Sequence, residues 1–281
     1  MKTVVFIIFF VYAVTLVYPF VWMAVNSLKT KFEFYNDVFS FPEVPQWQNW
    51  YDALIGFKVI GEAGETTREV NMLGMFVTSV LLVTGLTFFE VMVSALTAYT
   101  VCFYKFPLRK IVYSVIIFAL VVPIVGTLPA MYRFMKDTKL LNTIPGIMFM
   151  CVNGLGFSFL LLYGSFKSLS WSYAEAAAID GAGHFRTFFQ VMLPLAMPFI
   201  TATAIITAIG FWNDYTTPQI FLRKYPTIAV GVNTLAVQME RKTEYPMMFA
   251  CMLLAVIPMV ILFACFQKTI MKNMVAGGIK G

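Results

Sequence analysis

Charge is scarce in this chain: only 12% of its 281 residues are Asp, Glu, Lys or Arg, about half the share usual in a soluble domain. With 60% hydrophobic residues beside it, that scarcity excludes a pair of water-soluble domains and marks an integral membrane protein. Histidine is nearly missing. His184 is the single one, with no second histidine or nearby cysteine, so no metal is expected. The four cysteines, Cys102, Cys151, Cys251 and Cys265, lie in or beside apolar runs without C-x-x-C spacing, which argues against both disulfides and zinc. No G-x-x-x-x-G-K-[ST] phosphate loop occurs, and Gly61-Glu62-Ala63-Gly64 lacks the lysine that reaches a phosphate, so the chain by itself is not expected to hydrolyse ATP. The net charge of +6 is not clustered with stacking aromatics. Nucleic acid is therefore not an expected partner, and a bias toward one membrane face accounts better for the basic residues.

What the chain does have is apolar runs. Six are predicted to span a bilayer, at about 3–25, 72–104, 111–132, 144–166, 198–222 and 247–266, giving an all-α polytopic fold in a single transmembrane domain over 1–281. The first run, about 23 residues at 1.5 Å each, crosses the roughly 30 Å hydrocarbon core. It is longer than the core of a cleaved signal peptide, and Ala24-Val25-Asn26 is a poor cleavage site. Pro123 and Gly126 interrupt the third run. The stretch 26–71 is polar and turn-rich and reads as one extramembrane loop, in which Trp47, Trp50 and Tyr51 are either an interfacial aromatic cluster or a docking surface.

Two polar sites fall inside the apolar runs. Glu90 lies near the middle of the second, where a carboxylate costs roughly 2.5 to 3.5 kcal/mol and must face protein or water. It either pairs structurally within the assembly or lines a substrate path. The fifth run holds Trp212, Asn213 and Asp214, with Thr216, Thr217 and Gln219 after them. Asp214 is either an acid at the interface or part of a path whose uncharged groups suit hydroxyls. No flanking signature makes Glu90 and Asp214 a catalytic pair.

The polar stretch from Glu175 to Pro194 sits between apolar runs and reads as an elbow in water. Ser172 and Glu175 have the S-x-x-E spacing of a capping box, Ala176, Ala177 and Ala178 extend a short helix, and Asp180-Gly181 stops it. A second short helix is expected to carry Phe185, Phe188, Phe189 and Met192 as one apolar stripe and to end before Pro194. Glu175-Ala176-Ala177, then Gly181, then Val191-Met192-Leu193-Pro194 resemble the EAA loop of ABC-importer permeases, E-A-A-x3-G-x9-I-x-L-P, with Val191 in place of Ile. Asp180-Gly181-Ala182, Trp212-Asn213-Asp214 and the ending Ala276-Gly277-Gly278-Ile279-Lys280-Gly281 are similar to the carbohydrate-uptake branch, the relatives of the maltose permease's smaller subunit.

The resemblance implies a type I importer fold, with a cytoplasmic helix-turn-helix coupling loop at about 170–197 and an extracytoplasmic loop at 26–71. It also implies a non-catalytic subunit for a sugar or oligosaccharide, in a prokaryotic inner or plasma membrane with both termini cytoplasmic. The implied partners are a second homologous permease, an extracytoplasmic solute-binding protein and two ATPase subunits, which use the ATP and Mg; this chain binds no cofactor. Glu175, Ala176, Ala177, Asp180, Gly181, Ala182, Leu193 and Pro194 would couple to the ATPases, and Glu90, Asn213 and Asp214 are candidates for the substrate path. Permeases for amino acids, peptides or phosphate esters share the general pattern. A proton-coupled secondary transporter would use Glu90 or Asp214 as carriers and would show inverted repeats, of which the sequence gives no convincing trace.

Overall fold

The computed structural model describes residues 2–63, 66–122, 126–242 and 244–278. Gly64, Pro123 and the ending Ile279-Lys280-Gly281, all used in reading the sequence, lie outside them. The chain divides into two compact units, Met1–Ser79 with Arg223–Ile261, and Val80–Leu222 with Leu262–Gly281.

In the first unit α1 (Lys2–Ser27) is apolar and outward-facing along nearly all its length, and it carries Pro19 in its interior, as helices in lipid tolerate. The stretch 26–71, expected to be a loop, is largely ordered. It forms α2 (Lys31–Asn36), α3 (Gln48–Tyr51), a π turn (Asp52–Gly56) and an antiparallel hairpin of β1 (Lys58–Ala63) and β2 (Thr66–Asn71). A capping box starts α2: Thr30 Oγ1 accepts from the Glu33 N–H at 3.2 Å, and Glu33 Oε2 accepts from the Thr30 N–H at 2.7 Å. In the hairpin Val59 faces Val70 and a Lys58–Glu69 ion pair of 2.7 Å sits on the exposed side. Gly61 is needed there, since a Cβ would come within 3.0 Å of the Lys224 carbonyl. The hairpin leads into α4 (Met72–Phe103), whose later turns belong to the second unit.

The second unit continues with α5 (Arg109–Val121), α6 (Thr127–Asp137), α7 (Ile144–Cys151), α8 (Phe157–Ser168), α9 (Ser172–Ile179), α10 (His184–Thr187), a second π turn (Phe188–Met192), α11 (Leu193–Asn213) and α12 (Thr216–Phe221). Its core joins Val91, Ala95, Ala98 and Tyr99 of α4 to Phe159, Leu162 and Phe166 of α8 and to Phe188, Met192 and Ala196. Alanines at these crossings let helix backbones approach, as packing in lipid requires. The chain then returns to the first unit with α13 (Ile228–Lys242), and α14 (Tyr245–Gly278) ends the described residues.

Among the described residues three helices are long and apolar enough to cross a membrane alone, Lys2–Ser27, Met72–Phe103 and Tyr245–Gln267. A fourth candidate is a pair bent by 79°, His184–Leu195 with Met197–Asn213. The runs 111–132 and 144–166 are each divided between two shorter helices, α5 with α6 and α7 with α8. The run 198–222 is the later part of α11 followed by α12, because the helix already starts at Leu193.

Candidate coupling and translocation site

The elbow begins with α9, but not through the expected capping box. Trp171 is the residue before the helix, and its carbonyl accepts from the N–H groups of Ala174 at 2.9 Å and Glu175 at 3.1 Å. Ser172 is already helical, and its hydroxyl pairs with that of Ser170 at 2.7 Å. Glu175 therefore stands exposed in the first turn, favoured there by the helix dipole alone. The other end matches expectation. Gly181 has φ +80, its N–H donates to the Ala178 carbonyl at 3.1 Å, and the Ala182 N–H donates to the Ala177 carbonyl at 2.9 Å, which together are a Schellman cap.

Beyond Gly183 the chain does not stop at Pro194. The Leu193 N–H reaches back to the Phe188 carbonyl through the π turn. Pro194 then falls in the first turn of α11, where its missing N–H leaves no bond unmade. The stripe also splits. Phe188 and Met192 are buried, whereas Phe185 is 77% exposed and Phe189 45%. Of the other nominated residues Ala177 and Leu193 are buried, and Ala176, Asp180 and Pro194 are exposed.

An aromatic cluster fastens the elbow to the end of α4. Trp171 stacks on Phe103 with centroids 4.9 Å apart, Tyr99 lies 5.0 Å from Phe188, and the Tyr104 hydroxyl is 2.8 Å from His184 Nδ1. His184 thus holds a contact role.

Glu90 sits on the same helix about four turns earlier, and it is buried at 6% exposure. Its Oε2 accepts from the N–H groups of Asn153 at 3.0 Å and Gly154 at 3.2 Å, and its Oε1 accepts from the Ser94 hydroxyl at 3.2 Å. These two amides lie in the break between α7 and α8, where no helical carbonyl serves them. Gly154 has φ +64, and a Cβ there would collide with Val93 of α4. The carboxylate is thereby placed in a structural pairing inside the unit.

Asn213 and Asp214 lie at the break between α11 and α12. Asn213 Nδ2 donates to its own helix at Ile209 O, 2.8 Å away, and Asp214 Oδ1 accepts from the Thr217 N–H at 3.0 Å, capping the start of α12. α12 packs on α6 and α7, and the Asn142 N–H donates to the Phe221 carbonyl at 2.9 Å. Breaks at 152–156 and 214–215 therefore flank α7 and α12.

The family model for the inner membrane component of binding-protein-dependent transport systems matches residues 90–275, from Glu90 through the elbow and into α14. The chain belongs to that family. Among curated members of such transport systems, it is 29% identical over 262 residues to the diacetylchitobiose uptake system permease protein NgcG of Streptomyces coelicolor, covering 92% of this chain and 82% of that one. It is 27% identical over 266 residues to the melibiose/raffinose/stachyose import permease protein MelC of Bacillus subtilis, covering 94% and 91%. The crystal structure of a bacterial ABC transporter involved in the import of the acidic polysaccharide alginate contains a chain that superposes with a TM-score of 0.72 at 21% identity, covering 95% of each chain, which establishes the shared fold. This inner membrane component is thus a mostly helical, multi-pass membrane protein.

Reading the sequence missed the 152–156 break and the Tyr104–His184 contact. Asn153-Gly154 is a turn dipeptide and a local signal for the first. The second joins residues 80 positions apart and has no local signal.

Proposed function

We propose that this chain is the permease subunit of an ABC importer for a sugar or oligosaccharide. In this reading six spans form one transmembrane domain with both termini in the cytoplasm, α5 with α6 and α7 with α8 acting as broken spans. The chain is non-catalytic. It forms half of the translocation path beside a second, homologous permease, receives solute from an extracytoplasmic binding protein, and is driven by two ATPase subunits that bind the ATP and Mg. The observation that carries the reading is the elbow: an exposed Glu175 at a helix start, closed by a left-handed Gly181 and fastened by aromatic contacts to α4. The names of the curated relatives support carbohydrate as the cargo.

The mechanism follows from what α9 presents. Tyr173, Glu175, Ala176 and Ile179 are exposed while Ala174 and Ala177 hold the helix to its own chain, so α9 offers a docking face to an ATPase. Displacement of the elbow is passed to α4 through Trp171, His184 and Phe188. α4 carries Glu90, and through it the break beside α7 and α12, so rigid-body rocking repositions the wall of the path. Asn213 and Asp214 support that wall. Glu90 is engaged by two backbone amides in a structural pairing, which weighs against a secondary transporter.

The test is reconstitution. With its partner subunits in proteoliposomes the chain should support ATP-dependent sugar uptake, and alone it should neither hydrolyse ATP nor accumulate sugar. Glu175→Gln should reduce ATPase retention through purification, because losing one member of an interfacial ion pair costs roughly 2 to 5 kcal/mol. Proton-driven uptake by the isolated chain would overturn the proposal.

A further inference from the structure

The segment between α1 and the hairpin exposes large aromatics, with Phe32 at 75% and Trp47 at 68%. Its level is set by the ends of two apolar helices of the same unit. Asn49 Nδ2 donates to the carbonyls of Ser27 and Lys29 at 2.8 Å each, and Trp50 Nε1 donates to Ser27 Oγ at 3.1 Å. Thus α3 is held against the last residues of α1. On α2 the buried Phe34 packs edge-on against Trp22 and Phe249, at 6.3 and 5.6 Å, and Lys31 pairs at 3.2 Å with Glu244, the residue before α14. Trp22 precedes the end of α1 by five residues and Phe249 follows the start of α14 by four. Phe34 therefore reaches roughly 6 Å, about one turn, inside both helix ends.

Phe32 and Tyr35 are i, i+3 on α2, and Trp47 and Tyr51 are i, i+4 at α3, so each short helix exposes an aromatic pair, with Tyr35 also in edge contact with Tyr245 at 6.1 Å. Aromatic rings with a polar edge concentrate where hydrocarbon meets headgroups. Three of the nearby carboxylates are hydrogen-bonded within the segment, Glu33 to the N–H groups of Thr30 and Glu43, Asp37 to that of Phe39 and Asp52 to Gln48 Nε2, while Glu43 is exposed.

We propose that residues 31–51 lie in the headgroup layer, with Phe32, Tyr35, Trp47 and Tyr51 against phospholipid, and that the segment anchors the first span rather than docking a protein. This rests on α1 and α14 crossing the bilayer. The wild-type chain, purified with its partner subunits in phosphatidylcholine nanodiscs, would be irradiated with phospholipids carrying a carbene precursor either beside the headgroup or at the acyl end, and adducts would be mapped by mass spectrometry. The headgroup probe should label 31–51 several-fold more than the acyl-end probe, with the order reversed on Phe6–Phe10 of α1. Labelling of α1 without labelling of 31–51, or equal or reversed labelling of 31–51, would overturn the proposal and leave the spans intact. Failure of the acyl-end probe to label α1 would remove the spans and the proposal together.

Discussion

Removing the Glu90 carboxylate should unlatch the break between α7 and α8. In Glu90→Ala the amides of Asn153 and Gly154 lose the oxygen that serves them at 3.0 and 3.2 Å; Asn153 is exposed, so water can serve its N–H, whereas the buried Gly154 N–H left unpaired costs about 1 to 3 kcal/mol. Even the lower figure favours local opening by roughly 5-fold, since 1.4 kcal/mol is a factor of ten. Cys151, the last residue of α7, is half-buried beside the break and reports on it. Its alkylation, followed by peptide mass in the assembled transporter, should accelerate by at least that factor, and sugar uptake should fall. Glu90→Gln keeps an amide oxygen for the two N–H groups and should remain near wild type in both measurements. Wild-type alkylation of Cys151 in Glu90→Ala would refute the latch. Equal damage from Gln and Ala would show that charge matters, not acceptance.

Gly181→Ala meets no neighbour but must hold φ +80, so it should cost about 1 to 2 kcal/mol and weaken ATPase retention, with Gly181→Asn recovering part of the loss. Tyr104→Phe removes only the hydroxyl bonded to His184 and should cost about 0.5 to 1.5 kcal/mol in stability; sugar imported per ATP hydrolysed should fall, and an unchanged ratio would detach this contact from coupling. The Thr30 N–H and hydroxyl hold the Glu33 carboxyl below its ordinary value of 4.5. Its contribution is therefore complete above pH 4.5 and is lost as acid passes through the lowered value. Glu33→Gln, which can still cap α2, should flatten that acid limb, as measured by hydrogen exchange of residues 31–36 between pH 3 and 6.

Hydropathy found the apolar runs but not their interruptions. The run 144–166 is apolar on both sides of Asn153-Gly154, and an average over that length conceals a break that one turn dipeptide marks. The partner that stabilises it, Glu90, is more than 60 residues away, and no local rule links a costly carboxylate to a distant pair of amides. The hairpin was missed for the opposite reason. Its signal was local, a Gly-X pair between Lys58-Val59-Ile60 and the alternating Thr66–Asn71, but it lay inside a stretch already classed as polar. At Pro194 the rule that proline ends helices gave way to a π turn, which leaves the residue in a first turn where the rule does not apply.

The two S/T-x-x-E motifs show what else decides. Thr30-Lys31-Phe32-Glu33 forms the reciprocal box, while Ser172-Tyr173-Ala174-Glu175 has the same spacing and does not. Thr30 is extended, with ψ 159, so its hydroxyl points back at the Glu33 amide. At Ser172 the helix has already begun, because Trp171 takes helical angles with its ring stacked on Phe103 of α4. A contact between residues nearly 70 positions apart thus shifts the helix start by one residue. That shift has a consequence for Glu175. A boxed carboxylate, like that of Glu33, is spent on its own backbone, whereas no capping hydrogen bond holds that of Glu175. The acid at the start of the elbow is therefore left exposed, which the coupling role proposed for it requires and a perfect local motif would have withheld.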